Sequence, residues 1–231
     1  MKNPLLTVGA LALLALASGF ATQDPKPAPA PGGAPAAKPA AAPAKSSPSD
    51  AEVIAAQRPS YPLDTCVISG EKLGKDAVDN VKDGHLVRTC CNKCTAKLDA
   101  ASIKKVEDAV IATQSRSYPM ENCLCGKPLG KEAVNHVVGT RLVRCCSAEC
   151  ASMMQKDTKG ALAKLDTAYI DAQLKTYKAK NCPVCSMELG KGGEPVNYLY
   201  GTTLVRLCSR DCVAGLKKDP DAALKKLAEA K

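Results

Sequence analysis

Aromatic residues are nearly missing from this chain. Its 231 residues include no Trp, one Phe and six Tyr. A single large aromatic-rich core is therefore excluded, and much of the 45% hydrophobic content is alanine, which buries little area per residue. The core must be small or divided. Histidine is scarce too, with two in the chain, so a His-rich metal centre is ruled out and a Ser-His-Asp type of hydrolase is disfavoured. What the chain has in excess is cysteine, thirteen in all, so sulfur must carry the polar chemistry. The net charge of +9 comes from scattered lysines, without a basic stripe or aromatic stacking partners. That pattern describes a solvated surface and not a nucleic-acid interface.

The N-terminus has the pattern of a secretory signal. Lys2 precedes an apolar run from Leu5 to Ala17, and no further charge appears before Asp24. The run is short for a membrane span, and Gly19 and Ala21 supply small residues for cleavage after position 21. The expectation is a signal peptide over 1–21 and an exported protein, periplasmic or secreted, with no membrane association after cleavage. Residues 22–59 are Ala/Pro/Lys-rich, with eight prolines from Pro25 to Pro48 and no apolar periodicity, and they read as a disordered extended linker.

Beyond the linker the chain repeats itself three times, at a period of 57 to 59 residues. Each copy opens on a tyrosine (Tyr61, Tyr118, Tyr177), with a cysteine five residues on (Cys66, Cys123, Cys182) and then a Leu-Gly-Lys. A Leu-Val-Arg follows, ending at Arg88, Arg144 and Arg206, and two residues later comes a C-x3-C: Cys90/Cys94, Cys146/Cys150 and Cys208/Cys212. The boundaries read as modules over 60–116, 117–175 and 176–231. Val196, Tyr198 and Tyr200 alternate up to Gly201, and Leu204 and Arg206 continue beyond it, which predicts a hairpin. Gly84 and Gly139 mark the same turn in the other copies. After each C-x3-C the spacing turns helical, with Leu98, Met154 and Leu216 four residues past the second cysteine and Val106, Leu162 and Leu224 at twelve. Asp219-Pro220 is a helix start, and Asp99 and Asp157 stand near the same place. The fold class is α+β: three small tandem modules, each a cysteine knuckle, a β-hairpin and helix, joined by helices.

The cysteines have the spacing of metal ligands. In the third copy Cys182-Pro-Val-Cys185 aims two sulfurs at one point, and Cys208 and Cys212 at a helix start present two more on one face. The second copy keeps this plan with Cys123, Cys125, Cys146 and Cys150. The first has Cys66, Cys90 and Cys94, but Ser69 stands where Cys185 would be, leaving a three-coordinate site or one that recruits Cys91. Cys91 and Cys145 break the repeat and read as free, redox-active or accessory sulfurs. The arginines before each C-x3-C either offset thiolate charge or solvate the hairpin end. Met187 is a thioether ligand or a gap filler, the latter favoured because Lys72 and Pro128 stand nearby in the other copies. His85 and His136 sit at non-equivalent hairpin positions and read as strand or surface residues, and the tyrosines as structural packing.

The third copy, from Cys182-Pro-Val-Cys185-Ser-Met-Glu-Leu through Leu-Val-Arg-Leu-Cys208-Ser-Arg-Asp-Cys212 to Asp219-Pro220, resembles the TRASH/YHS family of small metal-binding modules. That family is associated with heavy-metal trafficking, resistance and sensing, and its signature is a cysteine, some twenty residues, then C-x3-C. Cys125 and Cys185 fit it with gaps of 20 and 22 residues, and Ser69 makes the first copy depart from it. The resemblance spans about residues 60 to 231 and implies a treble-clef-like module with those cysteines as ligands of a metal ion, zinc or copper. Two other readings stand beside it. Export to an oxidising compartment favours disulfides, or a stapled module whose partner is a protein. Cys182-Pro-Val-Cys185 also has the spacing of a thiol-disulfide oxidoreductase, although a hairpin and not a βαβ unit follows it. No acid/base constellation repeats among the copies, so the expected protein is not an enzyme.

Overall fold

A computed structural model describes residues 48–230. The expected signal segment and most of the Ala/Pro tract lie outside the described residues. The fold is mixed helix and small antiparallel hairpins. Helix α1 (Asp50–Gln57) leads through a 3-10 turn to hairpin β1 (Val78–Lys82) and β2 (His85–Thr89), then α2 (Asn92–Thr95) and α3 (Ala100–Gln114). The pattern recurs as β3 (Val134–Val138), β4 (Arg141–Cys145), α4 (Ala148–Lys156) and α5 (Thr158–Leu174). It recurs once more as β5 (Val196–Tyr200), β6 (Thr203–Leu207), α6 (Asp211–Lys218) and α7 (Pro220–Glu229). No helix among the described residues is long and apolar enough to cross a membrane.

Helix α1 corrects the expectation that the linker runs unstructured to residue 59. Ser49 and Glu52 form a reciprocal capping box at its start, the run Ala51 to Gln57 has no proline, and Val53 is buried. The prolines of the tract leave α1 free: Pro48 falls just before the cap and Pro59 follows the helix, in the 3-10 turn.

All three hairpins share one register, pairing Val78 with Thr89, Val134 with Cys145 and Val196 with Leu207. Their turns differ. Asp83 and Gly84 both take positive φ, as a type I′ turn requires, whereas in the other two only the first turn residue does, Gly139 and Gly201, the pattern in which glycine leads. A Cβ at Gly201 would also run into the carbonyl of Pro59, so the segment after α1 packs directly on the third hairpin's turn. The second strand of each hairpin buries consecutive residues: Leu86 and Val87, Leu142 and Val143, Leu204 and Val205 are all essentially inaccessible. Since neighbours on a strand face opposite ways, each hairpin is covered on both sides.

The core is divided, as the composition requires. One cluster centres on Val67, Val87, Val106 and Val110 and takes in Leu142 from the second hairpin. A second holds Cys123, Val143, Cys145, Leu165 and Tyr169, and the third Cys182, Val205, Leu207, Leu216 and Leu227. The aspartates at 99, 157 and 219 each cap the long helix that follows, accepting from Ser102, Gly160 and Ala222 N–H groups. Leu98 falls outside a helix, because α2 is a single turn, while Met154 and Leu216 lie on α4 and α6.

The long helices also carry a repeated device. Gln57, at the end of α1, donates from Nε2 to the Gly84 carbonyl at 2.7 Å and accepts at Oε1 from Leu86 N–H at 2.7 Å. Gln114 does the same to Thr140 and Leu142, and Gln173 to Thr202 and Leu204, all at 2.8–2.9 Å. Each glutamine saturates two backbone groups beside a hairpin turn, so every hairpin is seated on the helix preceding it. The structural repeat therefore starts at a helix, and α1 belongs with the first hairpin.

Candidate metal centres

Each knuckle is closed by its own backbone. The first cysteine's N–H donates to a carbonyl across the turn, Cys66 to Glu71, Cys123 to Lys127 and Cys182 to Met187, each at 2.7 Å. The turn needs one residue of positive φ, supplied by Gly70, Gly126 and Ser186. This buries Cys66, Cys123 and Cys182 and leaves Cys125 and Cys185 exposed. On the other side the strand end delivers Cys90, Cys146 or Cys208, and the first turn of α2, α4 or α6 delivers Cys94, Cys150 or Cys212.

The sulfurs converge. Cys123, Cys125, Cys146 and Cys150 form one group, Cys182, Cys185, Cys208 and Cys212 a second, and Cys66, Cys90 and Cys94 a third, with Sγ atoms of each group within 4.8 Å of one another. Cys185, Cys208 and Cys212 are spaced 3.3, 3.6 and 3.7 Å apart, Cys123 and Cys150 3.4 Å, Cys125 and Cys146 3.5 Å, and Cys90 and Cys94 3.7 Å. A tetrahedron of sulfurs at the zinc–thiolate bond length has edges of about 3.8 Å, whereas a disulfide pairs two sulfurs at about 2.05 Å and leaves the others out. Sulfurs converging in threes and fours with such edges fit an ion better than a bond. All eleven cysteines expected as ligands from the sequence lie in these groups, and Cys91 and Cys145 lie in none.

Proton affinities within a group are spread apart. Burial raises Cys66, but hydrogen bonds from the backbone and hydroxyl of Ser69 outweigh it and bring the thiol down to about 6. The Lys127 N–H, helped by the Cys146 thiol, lowers Cys125 to about 7. Cys182 also falls to about 7, where burial is overcome by N–H groups of Cys185, Cys208 and Val184. Cys208 is pushed up to about 12, first by its hydrogen bond with Cys185 and then by burial. Close thiols oppose one another's ionisation, so lowering one goes with raising its neighbour, and binding of a cation by such a group would release protons.

The arginines lie against the hairpin tyrosines. Arg88 pairs with Asp79 across the hairpin at 2.7 Å, Arg206 with Asn197 at 3.2 Å, and Arg88, Arg144 and Arg206 lie over the rings of Tyr61, Tyr118 and Tyr177. Each tyrosine hydroxyl accepts from the backbone N–H of its arginine. Arginine and tyrosine thus form a structural couple in each copy; Arg88 is mostly buried and not solvated, and the buried Arg144 Nε has no hydrogen-bond partner among the described residues. His85 and His136 lie on β2 and β3, outside every sulfur group. Met187 is half exposed, so it does not fill a gap.

Cys91 stands at the N-cap of α2, the place held by Ser147 before α4. Cys145 is fully buried at the end of β4, where Leu207 and Thr89 stand in the other copies, and burial pushes its thiol up to about 11. It is a free thiol, one of the roles expected of it, held as a core side chain outside the sulfur groups. Cys145→Ala should cost about 1 kcal/mol of stability through a small cavity and leave metal content unchanged, checked by thermal melts and elemental analysis.

Comparison with protein-family descriptions, curated proteins and solved structures gives no match for this chain.

Proposed function

We propose that this protein is an exported array of three thiolate metal-binding modules, holding soft or borderline ions such as zinc or copper for sequestration, trafficking or resistance, without catalytic turnover. The observation that carries the reading is the threefold convergence of sulfurs at tetrahedral spacing. A knuckle, a hairpin and a helix whose first turn carries the last ligand also support a treble-clef-like module and the resemblance to the TRASH/YHS family. Exposure favours cargo over a purely structural ion: Cys125 and Cys185 face solvent, so one corner of each complete site is open to exchange with an incoming ligand.

The test is elemental analysis of the purified protein with a thiol count before and after chelation. Loaded protein should contain metal, show Cys91 as its fast-reacting thiol, and release further reactive thiols when a strong chelator is added. Metal-free protein with no free thiols, folded in chelator until a reductant is supplied, would establish the disulfide reading instead.

A further inference from the structure

The first module lacks a sulfur at Ser69, and the side chains around that corner identify what replaces it. In the complete modules the exposed knuckle cysteine sits 3.5 Å from Cys146 or 3.3 Å from Cys208. At the same corner of the first module, Cys90 Sγ is 3.4 Å from Ser69 Oγ and 3.2 Å from Glu71 Oε2. The Ser69 hydroxyl is also 3.3 Å from that carboxylate oxygen. Glu71 belongs to this copy alone: the knuckle carbonyl it contributes comes from Lys127 in the second copy and Met187 in the third.

We propose that Glu71 is the fourth ligand of the first module, which makes that site a three-sulfur, one-oxygen centre beside two four-sulfur centres. This rests on the metal-binding reading above. A neutral serine hydroxyl is a poor ligand for a divalent ion, whereas carboxylate oxygen is a regular zinc ligand. Ser69 then has a supporting role, donating its hydroxyl to the Glu71 carboxylate and orienting it. Glu71 is exposed and its carboxylate touches Cys90 while lying outside the group of Cys66, Cys90 and Cys94, so ligation requires its side chain to swing toward the corner that Ser69 leaves without a sulfur. Cys91 is less suited. Its 3.7 Å contact with Cys90 has the length of a tetrahedron edge, but it stands at the N-cap place that Ser147 holds in the second module and not at the knuckle position that Ser69 occupies. The harder oxygen donor shifts the first site toward zinc and away from Cu(I), so the three modules divide their preference among ions.

The experiment is ¹¹³Cd NMR of the full chain loaded with cadmium, since the cadmium shift moves upfield when oxygen replaces sulfur. Two resonances in the four-sulfur range and one upfield of them are expected. Glu71→Gln should move the upfield resonance alone and weaken that site against a chelator by about 10- to 100-fold or more. Ser69→Cys should bring it into the four-sulfur range, and in that background Glu71→Gln should have no effect. The proposal is overturned if Glu71→Gln leaves all three resonances in place, if Cys91→Ser moves the third one instead, or if only two ions bind. A chain that takes up no cadmium at all would instead defeat the metal-binding reading itself.

Discussion

Replacing Cys208 with Ser should empty the third metal centre and unfold the module around it. Cys208 is central to its group, 3.3 Å from Cys185 and 3.6 Å from Cys212, so its loss removes a whole corner of the tetrahedron. Apart from the seating of its hairpin on Gln173 and on Pro59, the module has only a small core of its own. Its buried cluster is six residues, Cys182, Val205, Leu207, Leu216, Ala223 and Leu227, and one of these is itself a ligand. A unit of this size rarely gains more than about 3–5 kcal/mol from its core, while a structural zinc site supplies on the order of 10 kcal/mol or more. Loss of metal therefore outweighs what the module's own core contributes. Helix α6 should go first, because its first turn is fixed by Cys212 and its apolar face by Leu216. The expected result is one ion fewer per chain, loss of the amide signals of β5, β6 and α6, and survival of the second hairpin. A Cys208→Ser protein whose third hairpin stays ordered in strong chelator would show that packing, and not the ion, holds the module.

The ligands were legible because three copies within one chain expose the positions that do not vary among them. The same comparison explains Cys145 once register is considered: a position shared with Leu207 and Thr89 belongs to packing, whatever the chemistry of its thiol. Helix α1 was hidden by composition, since alanines and prolines of the tract were weighed together although no proline falls between Pro48 and Pro59. Glu71 could not be found by repetition, because it is the residue that differs. The hairpin arginines were ambiguous until their tyrosine partners were placed beneath them, a contact between residues 26 to 29 apart that no local pattern encodes. The glutamines were available and overlooked. Gln57, Gln114 and Gln173 each stand four residues before the tyrosine that opens a copy, but a comparison begun at the tyrosine leaves them outside it.

Those glutamines give the second large effect, and Gln114 should be the most sensitive of them. Its side chain is 5% exposed, and it serves two backbone groups of residues with no accessible surface, Thr140 and Leu142. Truncation to Ala leaves the Thr140 carbonyl and the Leu142 N–H buried without partners. Each such group costs about 1–3 kcal/mol, so Gln114→Ala should destabilise the protein by on the order of 3 kcal/mol. At fixed metal loading that corresponds to a fall of roughly 6–12 °C in Tm for a chain of this size. Gln57→Ala should cost less, because its bond to the Gly84 carbonyl is exposed and water can replace the lost donor. Gln114→Glu separates hydrogen bonding from packing: it keeps an acceptor for Leu142 N–H but sets a carboxylate against the Thr140 carbonyl, and should be at least as damaging as Ala despite filling the same space. Thermal melts of the three variants check the ranking. Equal, small losses for all of them would show that the hairpins are held by Leu86, Leu142 and Leu204 alone, and that the helices pack against the hairpins without orienting them.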